Sequence, residues 1–261
     1  MGRMPVRTVT AMIYIKQMSG GRTKPLLLAC GDSQGSQEFI VKLTSRVDMG
    51  LKSLVAEFVA AGIARQAGLM TPETVLVEVL PDFVGTVTIP EDRVELQKSQ
   101  GLNFGSLNLT PGYTTWLRNQ ALPSELRTLA LQVFVFDALI ENPDRRPEKP
   151  NLLGKADDLA VIDHELALGF DMALSRKDDP SKWYDFLKDH IFFSDARKRK
   201  TDVRQIAMDF IGSIDVESVI AELPTGWSLA AKDRLDKIRD HFKMVQGRAT
   251  DVCDGLMRVL E

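Results

Sequence analysis

Three features of the sequence predict an α+β fold, with strands in the first third and helices through the second half. Short apolar runs rich in β-branched residues alternate with glycine-bearing turns as far as Leu43. One segment of helical period, Leu51 to Gly68, then interrupts the strands, and from Ser124 onward the spacing is almost wholly helical. With 44% hydrophobic and 26% charged residues, the chain can bury one large core or two smaller ones.

Val9 to Ile15 reads as a first strand, Met18 to Pro25 as a turn tipped by Gly20 and Gly21, and Leu26 to Ala29 as the returning strand. A second turn, Gly31 to Ser36, leads into Glu38 to Leu43, which completes a three-strand meander. Leu51, Leu54, Val55, Phe58 and Val59 recur at helical spacing up to Gly68, with Pro72 beyond. Thr74 to Leu80 is a further strand, Pro81 to Gln100 a surface excursion, and Gly101 to Leu109 a return toward the core that Pro111-Gly112 breaks. This places a boundary between a β-rich part, 1–110, and a helical part, 111–261. Ser124 to Glu141 is apolar nearly all round, as a buried central helix is. Asn142 to Pro150 follows as a charged, proline-rich loop, then a small hairpin over residues 151–162 and amphipathic helices to Glu261.

Composition excludes several classes of function. Lys and Arg total 33 against 36 Asp and Glu, a net charge of −3, so no polybasic coat for nucleic acid exists. The longest apolar stretch, Leu129 to Ile140, is broken by Gln132 and Asp137 and falls short of a membrane span. The N-terminus lacks an apolar signal region, so a cytoplasmic protein is expected. Two cysteines and three scattered histidines provide neither a disulfide framework nor zinc-ligand spacing. Ala196 to Arg204 is a local basic cluster, read as a solvated helix face in preference to a contact for acidic partners or RNA.

The loop and hairpin carry the chemistry. Asp144 and Asn151 stand seven residues apart and Asp163 twelve further on, spacings that let a tight hairpin return Asp163 beside Asn151. In phosphoryl transfer one acidic residue orients or accepts the proton of the attacking hydroxyl, while an amide and a second carboxylate hold Mg²⁺ against the nucleotide phosphates. Asp and Asn also populate loops simply because they make Asx-turns, so this trio alone decides little. The first third adds Lys42, in an apolar strand after Val41, and Glu57, at the edge of the next helix's apolar stripe. A strand lysine clamped by a helix glutamate grips nucleotide phosphates in kinase folds, beneath a glycine-tipped hairpin such as the one bearing Gly20 and Gly21. Leu107, Asn108 and Leu109 stand where a hinge beside the nucleotide would run. Each feature has a plain structural reading, but together they follow the order of a bilobal protein-kinase-like fold.

The run Phe136 to Leu153, containing Asn142-Pro-Asp144-Arg-Arg and Lys149-Pro-Asn151, together with Val161-Ile-Asp163-His-Glu, resembles the small HipA-like kinases of bacteria. Gly101 to Gly105 and Val41-Lys42 are similar to that family too, so the resemblance spans about residues 8 to 170 and weakens beyond Phe170. It implies a two-lobed kinase using ATP and Mg²⁺, related in its catalytic loop to phosphatidylinositol kinases, with protein Ser/Thr phosphorylation as its best-known activity. Carried over, Lys42 contacts the α/β-phosphates, Glu57 orients Lys42, Asp144 is the catalytic base, and Asn151 and Asp163 hold Mg²⁺. Arg146 stands where many protein kinases place a cation for the transferred phosphoryl group, with Arg145 and Lys149 equally near in sequence.

The chain departs from eukaryotic protein kinases in having no His-Arg before Asp144 and no Phe-Gly after Asp163, so a conventional activation loop is not expected. Three alternatives stay open: a nucleotide-binding pseudokinase, a lipid or small-molecule kinase, and a metal-dependent phosphodiesterase using Asp144, Asp163 and Glu165. The acceptor, expected to be a protein, is not readable from the sequence.

Overall fold

The computed structural model describes residues 6–19, 22–117, 120–169 and 183–261. The chain divides into two compact units. The first comprises residues 1–58, 72–110 and 222–231, and the second residues 59–71, 111–221 and 232–261. Strands gather toward the N-terminus and helices toward the C-terminus, the mixed class that the sequence predicts.

In the first unit, β1 (Thr8–Gln17), β2 (Leu26–Asp32) and β3 (Gly35–Lys42) form the expected antiparallel meander. β4 (Thr74–Val79) and β5 (Gly101–Leu107) complete it, and β1 pairs in parallel with β4 over Thr8–Thr10, closing a five-stranded barrel in the order β1-β2-β3-β5-β4. Alternation explains the core: Leu26, Leu28 and Cys30 on β2, Phe39 and Val41 on β3, and Val75, Val77 and Val79 on β4 point inward at a period of two. The β1–β2 register slips between Ala11 and Ile13 and again between Tyr14 and Lys16, two bulges in one ladder.

The stretch expected as a surface excursion, Pro81 to Gln100, is instead helical, with α2 (Pro81–Thr86) and α3 (Pro90–Lys98). Each begins with its proline in the first turn, where a missing N–H costs nothing, so residues read as breakers are initiators. Phe83, Val84, Val87 and Leu96 join the barrel core. Asp92 is buried on α3, where Tyr14 donates to its Oδ2 at 2.5 Å and Arg46 to its Oδ1 at 2.5 Å. Burial, with that hydrogen bond, pushes the Tyr14 hydroxyl up to about 12.

Helix α1 (Leu51–Gln66) is buried continuously from Ser53 to Ala64 rather than along one stripe, which is why it is rich in alanine. It stops at Gly68, whose left-handed φ of 72° lets Gly68 and Leu69 return hydrogen bonds to Arg65 and Ala64.

The second unit is built on α4 (Arg127–Leu139), in which every residue from Ala130 to Leu139 except Gln132 is buried, as expected of a central helix. A small sheet of β6 (Thr114–Thr115), β7 (Leu152–Lys155) and β8 (Asp158–Val161) carries the predicted hairpin. Trp116 packs against Gly154, where any Cβ would meet its ring at 2.9 Å. Helices α5 (Phe193–Lys198), α6 (Lys200–Ser213), α7 (Val216–Ile220), α9 (Lys232–Gly247) and α10 (Ala249–Val259) follow, while α8 (Thr225–Ala230) belongs to the first unit. Trp116, Trp183 and Trp227 are all buried. In the basic cluster Arg199 pairs locally with Asp202, and Arg204 reaches from α6 to Asp254 on α10. Among the described residues no helix is long and apolar enough to cross a membrane.

Candidate active site

Lys42 alternates with Val41 on β3, so its side chain leaves the strand on the face opposite the barrel interior. There its Nζ donates to Glu57 Oε2 at 3.0 Å, with both side chains buried. The strand lysine and helix glutamate are therefore a formed ion pair within the first unit. At the far end of β5, Leu107 pairs with Phe39, and Asn108 bonds Glu38 through its backbone N–H at 2.8 Å and its side chain at 2.9 Å. Asn108 Oδ1 also accepts from Thr110, so Leu107, Asn108 and Leu109 form a braced exit from the barrel. Gly20 and Gly21 lie outside the described residues.

The second unit places Asp144, Asn151 and Asp163 together. Asn151 Nδ2 donates to Asp144 Oδ2 at 3.2 Å and to the Asp163 carbonyl at 3.5 Å. Lys149 joins them, its Nζ 2.6 Å from Asp144 Oδ2 and 3.2 Å from Asp163 Oδ2. Burial works against the Lys149 charge, but the carboxylates of Asp163 and Asp144 outweigh it and raise its pKa. Arg146 approaches Asp144 Oδ1 only to 3.6 Å with its side chain 51% exposed. Asn151 and Asp163 both take left-handed backbone, with φ 49° and 58°, a conformation that Asn and Asp tolerate better than most residues.

Irregular backbone of this kind needs support, and a buried polar hub provides it. α4 ends in a left-handed Glu141, after which Asn142 N–H returns to the Asp137 carbonyl at 2.8 Å. Asn142 Nδ2 donates to Asp137 Oδ1 at 2.8 Å, and its own Oδ1 accepts from Asp144 N–H at 3.1 Å. Arg145, fully buried, pairs with Asp137 and donates to the carbonyls of Asn151 and, at 3.3 Å, Pro150, so one guanidinium ties both ends of the loop together. Among the three neighbouring cations left open by sequence, Arg145 is therefore internal structure and not a phosphate contact.

His190 completes the hub from far along the chain. Phe192 N–H donates to His190 Nδ1 at 3.0 Å, so the ring proton sits on Nε2, which lies 3.0 Å from Asp137 Oδ2. Burial lowers the His190 pKa and prevails over the raising effect of Asp137, so the contact is a neutral hydrogen bond and not an ion pair. Burial alone would raise Asp137, but Arg145 and His190 hold it at about 2, an anion at any ordinary pH. Sequence reasoning missed Asp137, Asn142 and His190. The available signal was a carboxylate inside an otherwise apolar helix, which must have buried partners.

The donor set defines which metals fit. Asp163 would offer a carboxylate oxygen and Asn151 an amide oxygen, hard ligands of the kind suited to Mg²⁺, which keeps water and substrate phosphates as its other ligands. Among the described residues no group of three or more His, Cys, Asp or Glu is placed to hold a metal ion.

A family model described as HipA-like kinase matches residues 12–253. The chain belongs to the HipA-like kinase family. The match extends well past Phe170, into the helices where resemblance was hardest to read. No curated protein matches the sequence. Among solved structures, the crystal structure of the Helicobacter pylori proinflammatory kinase CtkA is similar, with a TM-score of 0.60 at 15% identity over 97% of each chain. At that identity the likeness is one of fold. Membership of the HipA-like kinases makes this chain a phosphotransferase by family.

Proposed function

We propose that this HipA-like kinase uses ATP and Mg²⁺ to transfer the γ-phosphoryl group to the hydroxyl of a protein serine or threonine. The observation that carries the reading is the single hydrogen-bonded cluster of Asp144, Asn151 and Asp163 on the loop and hairpin. A bilobal organisation is part of this proposal, with 1–110 as the nucleotide-gripping lobe and 111–261 as the catalytic lobe of a cytoplasmic enzyme.

Within that reading, Lys42 holds the α/β-phosphates, and Glu57 keeps its ammonium on station through their 3.0 Å contact. Asp144 accepts the proton of the acceptor hydroxyl at a carboxylate oxygen, while Arg146, half in solvent, meets the transferred phosphoryl group. Asn151 and Asp163 would hold Mg²⁺, which when bound neutralises phosphate charge. Leu107, Asn108 and Leu109 flank the nucleotide base. The chain thus supplies positioning and charge, the two terms on which phosphoryl transfer depends most.

Incubation with γ-labelled ATP tests this. Asp144→Ala should lower phosphate incorporation about 10²–10⁴-fold, the usual scale for loss of a general base, with a similar fall for Asp163→Ala. Incorporation that survives both substitutions overturns the assignment.

A further inference from the structure

The position of Lys149 carries an inference that deepens this reading of the site and rests on it. Reciprocal backbone bonds between Arg146 and Lys149, at 3.0 and 3.2 Å, close a tight turn that fixes where the lysine starts. Its ammonium then bridges Asp144 and Asp163, with the Asp144 contact the shorter, 2.6 against 3.2 Å. The side chain is 38% exposed, so its tip can relocate toward water without opening a buried hole.

Asp163 Oδ2 thereby serves an internal cation. A divalent ion on the same carboxylate would stand within a few ångströms of the ammonium, where like charges repel strongly because both are partly withdrawn from water. We propose that Lys149 is a resident counter-ion that competes with the divalent metal for Asp163. Metal uptake exchanges the longer Lys149–Asp163 contact for a metal–carboxylate bond, while the shorter contact to Asp144 persists. Lys149 is a positioning residue in this scheme: it holds two repelling carboxylates at bonding separation and sets a threshold that metal alone crosses poorly. Nucleotide phosphates bring negative charge that offsets the repulsion, so metal and nucleotide bind cooperatively, each raising the affinity of the other by the same factor.

The test is Mn²⁺ binding to the full chain, read from the paramagnetic signal of free Mn²⁺ with and without ADP, for the native protein, Lys149→Met, Lys149→Gln and Lys149→Arg. Removing the charge should tighten binding of Mn²⁺ alone about tenfold, the small end of the electrostatic range because the ammonium is partly solvated. The gain in Mn²⁺ affinity on adding ADP should shrink by the same factor, and Lys149→Arg should behave as native. The proposal is overturned if both charge-removing variants bind Mn²⁺ no more tightly than the native protein, or if Lys149→Arg tightens binding as much as they do. Asp163→Asn separates the two levels of argument. Native-like Mn²⁺ affinity in that variant, or no binding by any variant even with ADP, overturns the metal assignment itself and the competition with it. Weakened binding in Asp163→Asn beside unchanged binding in the Lys149 variants sinks the competition alone.

Discussion

Lys42 and Glu57 stand on a strand and a helix whose own hydrogen bonds fix them, whereas Asp144, Asn151 and Asp163 stand on irregular backbone that other side chains must hold. The first centre includes a direct contact between two regular elements. The second depends on Asp137, Asn142, Arg145 and His190, gathered from a helix, a loop and a segment well beyond the hairpin. The difference teaches that functional groups on a loop bring a hidden requirement, a satisfied buried polar network.

The largest test of this contrast is whether apolar replacement can rescue each centre. Lys42→Met leaves Glu57 buried without its lysine and should cost about 3–5 kcal/mol in denaturant unfolding. Adding Glu57→Leu should restore most of that stability, because a buried ion pair can often be replaced by packed hydrocarbon. Arg145→Met should cost as much, but adding Asp137→Leu should not restore it, since the carbonyls of Pro150 and Asn151 and the side chains of Asn142 and His190 all lose a partner. Equal rescue at both centres would erase the distinction.

A smaller effect separates two asparagines. Asn142 is buried and bonded on both sides, so Asn142→Ala should cost about 1–3 kcal/mol. Asn108 is partly exposed on the barrel exit, where water replaces lost bonds, and Asn108→Ala should cost under about 1 kcal/mol in the same assay.

The smallest effect is pH dependence confined to the second centre. The folded His190 pKa is depressed, so below about 6.5 the unfolded chain binds a proton that the folded chain refuses. Its contribution is full above that pH and is lost as pH falls toward the folded value, with a slope of up to about 1.4 kcal/mol per pH unit. Asp137 follows only in strong acid, between the ordinary carboxylate range and its own value of about 2. Unfolding free energies at pH 7.5 and 5.5 should show a difference that shrinks in His190→Gln. An undiminished difference would remove His190 as its source.

These outcomes also mark how far sequence could see. The meander, α1, α4, the hairpin and the ordered series Lys42, Glu57, Asp144, Asn151, Asp163 were legible because period and spacing are local properties. α2 and α3 were not, because Pro81 and Pro90 at helix starts look like breakers, and α3 buries only Asp92 and Leu96 and so shows no apolar stripe. A finer reading had one cue, acidic Glu91 and Asp92 in the first turn with Lys98 in the last, the charge order that a helix dipole favours. The hub was illegible for another reason: nothing local links His190 to Asp137, and only the folded chain makes them neighbours.

The two register slips in the first strand bear on how this protein meets other chains. Beyond Thr10, where the parallel pairing recorded for β1 ends, the strand displays Met12, Ile13 and Ile15 to solvent. A straight strand with such a surface would invite a foreign segment to dock alongside and extend the sheet, the route to swapped dimers and fibrils. Each bulge rotates the backbone amides out of line, and Lys16 adds a charge that an incoming strand would have to desolvate. The same irregularity disfavours strand addition by any foreign peptide along this stretch of β1.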